Sequence, residues 1–505
     1  MIASPFRRRR LRTNVLANAT GRLVPGVLTL VSVPVLVAVL GTEAYGLIGF
    51  FAVLQMMFGM LDQGLTTTAT REVAGNRAEH LEPRVSQTLV RSLEAVYWAV
   101  AIAIGFTIAG GSGWLATRWL NTSELPSSDV RVALVASGIA IAARWPASLY
   151  RGVLDGLELQ VTQNVIAIAA AIARILGGIV VVLAIEPSVT AYMAWQAIVA
   201  SAEVAVVCAV AWAALGGGVL RSRIDGSALR RVWRYAAALN IVGALALVMA
   251  NIDRIVISNL LPLEQLGYYT IALTAASLIP HLAAAVSVAI LPRFAGAAAR
   301  GDSAAIRGTY RQATGVVAYV TVGSALTLAF FSSEVLRLWL PSGGAVEGAA
   351  VVLALLGLAY LFNALYTVPY TLAVATGHAR VPLMANVVGA PLLAAVMIPV
   401  VARWGIIGAA SASLGLMVAF FVWYLESAHR VVLPGATRGI FASSVLPYAI
   451  VGVAVLGGAR LAASALGSNG AHLMLVAGVL VYAYAGSTLL PAGLPRLRIR
   501  RPKLS

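Results

Sequence analysis

The chain contains few of the residues on which enzymes and disulfide-bonded proteins depend. Its 505 residues include one cysteine, Cys208, so no intramolecular disulfide can form. The only lysine is Lys503, which excludes the lysine of a nucleotide-binding P-loop from the body of the chain. The five histidines are far apart and form no His-Glu-x-x-His pattern, so nothing supports a catalytic zinc site. We expect no catalytic residue, no metal and no cofactor.

Charged residues are scarce as well. They make up 11% of the chain, against about 25% in soluble domains. Hydrophobic residues make up 60%, and the mean hydropathy is +0.88, which indicates an integral membrane protein. Windows of about 20 residues predict an all-α fold of about 14 transmembrane helices. They lie near 16–40, 44–67, 93–112, 130–149, 160–184, 189–214, 236–260, 266–291, 313–331, 347–376, 382–402, 405–428, 441–459 and 470–490.

The arginines predict the orientation of these helices, because short cytoplasmic loops carry an excess of basic residues. An even number of helices places both termini on one side. With 14 helices that side is strongly basic, and we expect both termini to be cytoplasmic. The opposite side holds only Arg118, Arg131, Arg337, Arg403 and Arg460.

The net charge of +17 does not indicate nucleic-acid binding. The basic residues are spread over many short loops, without interleaved aromatics or a soluble domain to carry them. Attraction to anionic lipid headgroups explains them better, so membrane lipids are expected partners and nucleic acid is not.

An internal repeat indicates two halves of similar structure. Residues 40–47 would join the first two helices, and residues 261–268 the seventh and eighth. Because six helices separate the copies, both run in the same direction, which predicts two six-helix lobes around an axis along the membrane normal. We divide the chain into an N-terminal lobe (1–214), a basic cytoplasmic linker (215–235), a C-terminal lobe (236–428) and two further helices with a basic tail (429–505). The aligned pairs are Leu40 and Leu261, Glu43 and Glu264, and Gly46 and Gly267.

The same stretches resemble a known family. Residues 39–47 (VLGTEAYGL), 60–65 (MLDQGL) and 71–74 (REVA) resemble the opening of Wzx-type O-antigen and polysaccharide flippases. These belong to the multidrug, oligosaccharidyl-lipid and polysaccharide (MOP) exporter superfamily. Residues 251–258 (NIDRIVIS) and 264–269 (EQLGYY) are similar to the family's junction between helices seven and eight. The resemblance covers roughly residues 13–430, and the last two helices match by position only.

This resemblance implies a flippase for an undecaprenyl-diphosphate-linked oligosaccharide. The cargo would move from the cytoplasmic to the periplasmic leaflet of a bacterial inner membrane by alternating access through a cationic cavity. Polysaccharide polymerase and chain-length machinery would be further partners. The chemistry of the cargo also calls for a transporter, because a diphosphate and a hydrophilic glycan cannot cross hydrocarbon unaided.

Four arginines inside predicted helices are candidate ligands of the diphosphate. Arg22 and Arg174 lie deep in the first and fifth helices, too far from water to snorkel. Arg144 lies near the cytoplasmic end of the fourth helix, and Arg254 lies in the seventh. A guanidinium stays charged and offers a planar set of donors to phosphate oxygens. The alternatives are a buried arginine paired within the bundle and, for Arg144, a side chain that reaches the interface.

Three acids and one histidine are candidates for charge balance or ion coupling: Asp62, Glu203, Asp253 and His281. Asp253 and Arg254 are adjacent, so their side chains point about 100° apart and cannot form a tight pair on one face. His281 could titrate near neutral pH, although a single histidine in an apolar helix is more often a packing residue.

Two other functions remain open. A MATE-like drug/cation antiporter would share the fold, but its cavity should be rich in acids and aromatics. A polyprenyl-linked glycan polymerase or ligase would need a sizeable outer catalytic loop. The longest outer loops, about 113–129 and 332–346, are too short for one and lack a clustered acid pair.

The arginine assignment gives a first prediction. Replacing Arg174 or Arg22 with alanine should abolish export of surface polysaccharide, because the diphosphate loses a charged donor in a low-dielectric site. Export is measured as surface polysaccharide, and immunoblots of membrane fractions check protein level and insertion. Full export in both variants would remove these two residues from the mechanism.

Overall fold

The computed structural model describes residues 5–60, 62–80, 82–217, 225, 251–341, 343–378, 380–431 and 437–490. Within this part the chain is helical apart from short connections and one isolated bridge between Asn121 and Pro262, so the predicted all-α fold is confirmed. The helices are α1 (Pro5–Met60), α2 (Gln63–Ala78), α3 (Pro83–Trp114), α4 (Ser127–Gly156), α5 (Gln160–Ala184), α6 (Val189–Ala214), α7 (251–260), α8 (Leu263–Ala276), α9 (Leu278–Ala299), α10 (Ser303–Trp339), α11 (Gly344–Ala375), α12 (Arg380–Val431), α13 (Thr437–Gly452) and α14 (Gly458–Thr488). Two π-helical turns, Leu115–Trp119 and Val453–Gly457, follow α3 and α13.

The described residues contain 11 helices that are long and apolar enough to cross a membrane. Three of them contain a break in helical geometry, at Gly41 (φ 83°), Phe331 (φ −127°, ψ 29°) and Gly405 (φ 59°). The two breaks at glycine coincide with the loops predicted between 40 and 44 and between 402 and 405. Only Gly adopts such positive φ angles readily, so the glycines separate helices that the sequence places apart. Most of the predicted seventh helix, 236–260, lies outside the described residues, and the count of 14 stays a prediction.

Several observed helices extend beyond the predicted bounds: α3 (Pro83–Trp114) against 93–112, α10 (Ser303–Trp339) against 313–331, and α14 (Gly458–Thr488) against 470–490. Two further predicted helices are interrupted by turns. The predicted helix 44–67 ends at Met60, and α2 begins at Gln63, so Asp62 lies in a break between two helices. The predicted helix 266–291 is interrupted at Ser277, between α8 and α9. Pro280 explains the second break, because proline lacks an N–H and its ring clashes with the carbonyl four residues earlier.

The chain forms two compact units, Met1–Gly267 and Tyr268–Ser505. In the first unit α4 packs against α2, α3 and α6, while α1 packs mainly against α5. Small residues allow this close approach: a Cβ on Gly152 or Gly156 would meet α2 at Thr66 or Thr70 within 3.0 Å. The core of α4 is therefore enclosed, with Tyr150 almost fully buried.

In the second unit α10 packs against α9, α11 and α13, and α11 packs against α12. Tyrosines fix the last helix, α14, to α10. The Tyr319 hydroxyl donates to the Ala483 carbonyl at 2.8 Å, and the Tyr482 hydroxyl donates to the Tyr319 carbonyl at 2.7 Å. An ion pair between Arg460 and Glu334, at 2.5 Å, adds a second attachment.

The two copies of the repeat touch within the first unit. A Cβ on Gly46 would overlap the Leu263 carbonyl, and a Cβ on Gly267 would overlap the Thr42 carbonyl. The loop after α3 lies beside them. Glu43, which is buried, accepts the backbone N–H groups of residues 123, 124 and 125 at 2.6–3.2 Å. Leu263 N–H donates to the Asn121 carbonyl at 2.8 Å.

This contact gives a second prediction. Gly46→Ala should destabilise the protein by about 1–3 kcal/mol, because the new methyl group overlaps backbone that has little room to move. Gly110→Ala in α3 is the matched control, since nothing lies within 4 Å of its Cβ. It should be neutral or slightly stabilising, as alanine favours helix over glycine. Thermal unfolding of both purified variants in detergent measures the difference, and equal stability would contradict the contact.

Candidate functional site

Two arginines pair with one glutamate inside the first unit, and a third arginine lies near them. Helix α4 contributes Arg144 and Arg151, α5 contributes Arg174, and α6 contributes Glu203. Arg144 and Arg151 are seven residues apart, two helical turns, and therefore lie on the same face of α4. The structure thus joins two of the predicted arginines, Arg144 and Arg174, with the predicted acid Glu203 and a further arginine. We call these four residues the arginine cluster.

Glu203 is the buried centre of the arginine cluster. Its Oε1 accepts from Nη2 of Arg151, and its Oε2 accepts from Nη1 of Arg174 at 2.5 Å. Its side chain is 1% exposed, against 31% for Arg151 and 19% for Arg174. The carboxylate is therefore more deeply buried than the side chains of the two arginines that bind it.

Arg144 has neutral partners. Its Nη1 donates to Oε1 of Gln55 on α1, and its guanidinium lies over the Phe51 ring, 5.9 Å from the centroid. Its Nε is buried without a hydrogen-bond partner in the described structure. With three arginines and one glutamate, the cluster has a net charge of +2 (3 − 1). An anion that displaced neutral partners would be stabilised here.

Arg254 contacts the residue next to Gln55. Its guanidinium donates to Oδ1 of Asn251, and its Nη2 lies 3.9 Å from the Met56 sulfur. Asp253 accepts the backbone N–H of Arg254 at 2.8 Å through Oδ1. Both side chains are buried. Neighbouring residues of α1 therefore contact Arg144 and Arg254.

The other predicted residues have separate surroundings. Asp62 is buried and accepts hydrogen bonds from the hydroxyls of Tyr97 and, at 2.7 Å, Thr66. His281 is exposed on α9, with Nδ1 2.5 Å from the Ser277 carbonyl of the same helix. The backbone of Arg22 belongs to α1, but its side chain lies outside the described residues.

Sequence reasoning missed Arg151. The predicted fourth helix ended at residue 149, which would leave Arg151 in a loop, whereas α4 continues to Gly156. The seven-residue spacing from Arg144 was the available signal. Glu94 was also missed: it is buried and accepts from Arg91 at 2.8 Å, Tyr150 at 2.8 Å and Trp212 at 2.6 Å. In the described residues no three His, Cys, Asp or Glu side chains converge as metal ligands.

Comparison with known families gives two matches. The family described as "Polysaccharide biosynthesis protein" matches residues 11–297, more than half of the chain. The MatE family matches residues 239–400. A curated protein of Shigella flexneri, named "Putative O-antigen transporter", is 19% identical over 414 residues, which cover 79% of this chain and 92% of that protein.

Solved structures share the fold. A structure titled "Lipid II flippase MurJ, inward closed conformation" has a TM-score of 0.74 at 14% identity and covers 94% of this chain and 98% of its own. An inward-facing multidrug resistance MATE family transporter of the MOP superfamily has a TM-score of 0.65 at 12% identity, with 82% and 98% covered. At these identities the likeness concerns the fold alone. It confirms the predicted fold class.

The burial of Glu203 gives a third prediction. Glu203→Ala should destabilise the protein by about 3–5 kcal/mol, because two partly buried guanidinium groups lose their shared counter-ion. Glu426→Ala is the matched control. Glu426 pairs with Arg430 at 2.7 Å, but their side chains are 35% and 77% exposed, so its loss should cost less than about 1 kcal/mol. Thermal unfolding in detergent tests this, and an equal loss in both variants would refute it.

Proposed function

Because this chain belongs to the polysaccharide biosynthesis protein family, we propose that it is a flippase for lipid-linked oligosaccharide. The cargo would be an undecaprenyl-diphosphate-linked polysaccharide repeat unit, moved from the cytoplasmic to the periplasmic leaflet of a bacterial inner membrane. The family match confirms the resemblance to Wzx-type flippases at the level of the family. The cargo is supported by the names of two relatives, an O-antigen transporter and a lipid II flippase.

The arginine cluster is the observation that carries this proposal. A diphosphate diester has one negative charge on each phosphoryl group, and the cluster has a net charge of +2. Arg151 and Arg174 each keep donors beyond the one given to Glu203, since a guanidinium has five N–H groups. These two arginines would contact the diphosphate first, and Arg144 would exchange its neutral partner Gln55 for a phosphoryl oxygen.

The remaining predicted residues have secondary roles in this proposal. Arg22 and Arg254 would extend the cationic path, Arg254 through its position beside Met56. Glu203 and Asp253 would balance charge. Asp62 is the better candidate for a coupling proton, because its hydrogen-bond donors are hydroxyls rather than guanidinium groups. His281 remains a weaker candidate, since its ring already bonds to its own helix.

Topology and partners follow from the same proposal. Both termini would be cytoplasmic, with the two lobes, linker and C-terminal helices divided as the sequence predicts. The prenyl tail would stay in lipid while the head group crosses by alternating access. Polysaccharide polymerase and chain-length machinery would act on the product at the periplasmic leaflet.

A drug/cation antiporter is the second candidate, favoured by the MatE match over residues 239–400 and by the MATE transporter fold. The arginine cluster opposes it, because a cationic drug would be repelled by a site with a net positive charge. A glycan polymerase or ligase is less well supported, since the named relatives are a transporter and a flippase.

Arg151 provides the fourth prediction. In a strain that depends on this protein for surface polysaccharide, Arg151→Ala should reduce export by about tenfold or more, the equivalent of one lost charge-assisted hydrogen bond. Arg118→Ala is the matched control: it removes the same charge from an exposed side chain of the π-helical turn Leu115–Trp119 and should export normally. Surface polysaccharide is measured by gel and by antibody labelling.

The same strains separate the two candidate functions. A flippase should give no change in drug sensitivity between the wild type and Arg151→Ala. Normal polysaccharide export in the Arg151 and Arg174 alanine variants, together with a loss of drug resistance on gene deletion, would favour the antiporter instead.

A further inference from the structure

Glu203 is an acid at the centre of a site that should attract an anion. By Coulomb's law alone, its negative charge weakens the attraction of the arginine cluster for a diphosphate. A carboxylate in this place therefore needs a role that offsets the weakened attraction for the diphosphate.

Each oxygen of Glu203 serves a different arginine. Oε1 binds Arg151 of α4, and Oε2 binds Arg174 of α5, so a single carboxylate connects two helices through two like charges. Other buried acids in the described residues are arranged differently. Glu334 pairs with Arg460 through Oε1, and Glu94 accepts from Arg91 and from the neutral donors Tyr150 and Trp212.

Two guanidinium groups that share one carboxylate lie close together and repel each other. Both belong to long, flexible side chains, which would separate in the absence of the carboxylate. Glu203 cannot move aside easily, since its side chain is 1% exposed. On α6 two turns earlier, Gln196 donates to the backbone carbonyl of Arg174 at 3.2 Å and fixes α5 against α6.

The charged and titratable groups near Arg144 are Arg151 on α4, Arg174 on α5, and Glu203 and Tyr192 on α6, while α1 presents the neutral Gln55 to it. Arg144 has neutral contacts and does not use Glu203. Glu203 therefore brings together Arg151 and Arg174 but not Arg144. The side chains of both arginines are more exposed than that of Glu203.

We propose that Glu203 is a positioning residue: it holds the guanidinium groups of Arg151 and Arg174 side by side, so that together they bind the two phosphoryl groups of one diphosphate. This rests on the proposed function and adds a specificity to it. The bridged pair favours a diphosphate over a monophosphate, because a single phosphoryl group does not need both arginines at a fixed spacing.

Binding to the purified full-length protein in nanodiscs tests this inference. The probes are geranylgeranyl diphosphate and geranylgeranyl monophosphate, and the measured quantity is the ratio of their dissociation constants. Glu203→Gln keeps the side-chain shape and removes the charge. We expect diphosphate affinity to fall about tenfold, as for one lost charge-assisted hydrogen bond, with little change for the monophosphate. Coulomb's law alone requires a higher diphosphate affinity in this variant. Either a higher or an unchanged affinity overturns the inference.

Glu203→Asp provides an independent measurement that does not change the net charge. The side chain is one methylene shorter, so its carboxylate no longer meets both guanidinium groups at the position of the Glu203 carboxylate, and the preference for diphosphate should fall here as well. If Glu203→Gln fails to fold, this variant decides, and an unchanged ratio overturns the inference. Glu426→Gln is the control for loss of an exposed acid and should leave both affinities unchanged.

Failure of the proposed function would look different. It fails if the wild type does not bind the diphosphate probe, or if Arg151→Ala and Arg174→Ala bind it as well as the wild type. If both alanine variants lose binding while Glu203→Gln and Glu203→Asp keep the wild-type ratio, the site stands and only the positioning role of Glu203 is rejected.

Discussion

A charge placed between apolar helices has to be neutralised or hydrogen-bonded by the protein itself. Four of the buried acids of the first unit satisfy this constraint in different ways. Glu203 bridges two arginines, Glu94 combines one arginine with neutral donors, Asp62 relies on hydroxyls, and Glu43 accepts backbone N–H groups. Each arrangement joins helices or loops distant in sequence, so the polar contacts of this unit determine which apolar segments lie side by side.

Much of the fold could be predicted because a bilayer demands about 20 apolar residues per crossing. The predicted helices 160–184 and 189–214 have the same bounds as α5 and α6. The breaks at Asp62 and Ser277 were missed, because hydropathy averages over a window and does not detect a local loss of helical hydrogen bonds. Pro280 could have indicated the second break, since proline affects the backbone before it.

The site was predicted only in parts. Arg174 and Glu203 were each recognised as charges within a span, yet their pairing depends on how α5 and α6 pack, which a single sequence does not specify. Arg151 was missed because hydropathy falls where charged residues begin. The predicted helix therefore ended at residue 149, whereas α4 continues for two more turns. Residues that bind the cargo can therefore lie beyond the apolar window, on the helix face that already carries Arg144.

The close approach of Gly46 and Gly267 has a consequence for how the two halves of the repeat can change over time. At each position the opposing main chain leaves no room for a side chain, so a side chain added in one copy would clash with the backbone of the other. Enlarging either glycine would therefore require the opposing backbone to shift.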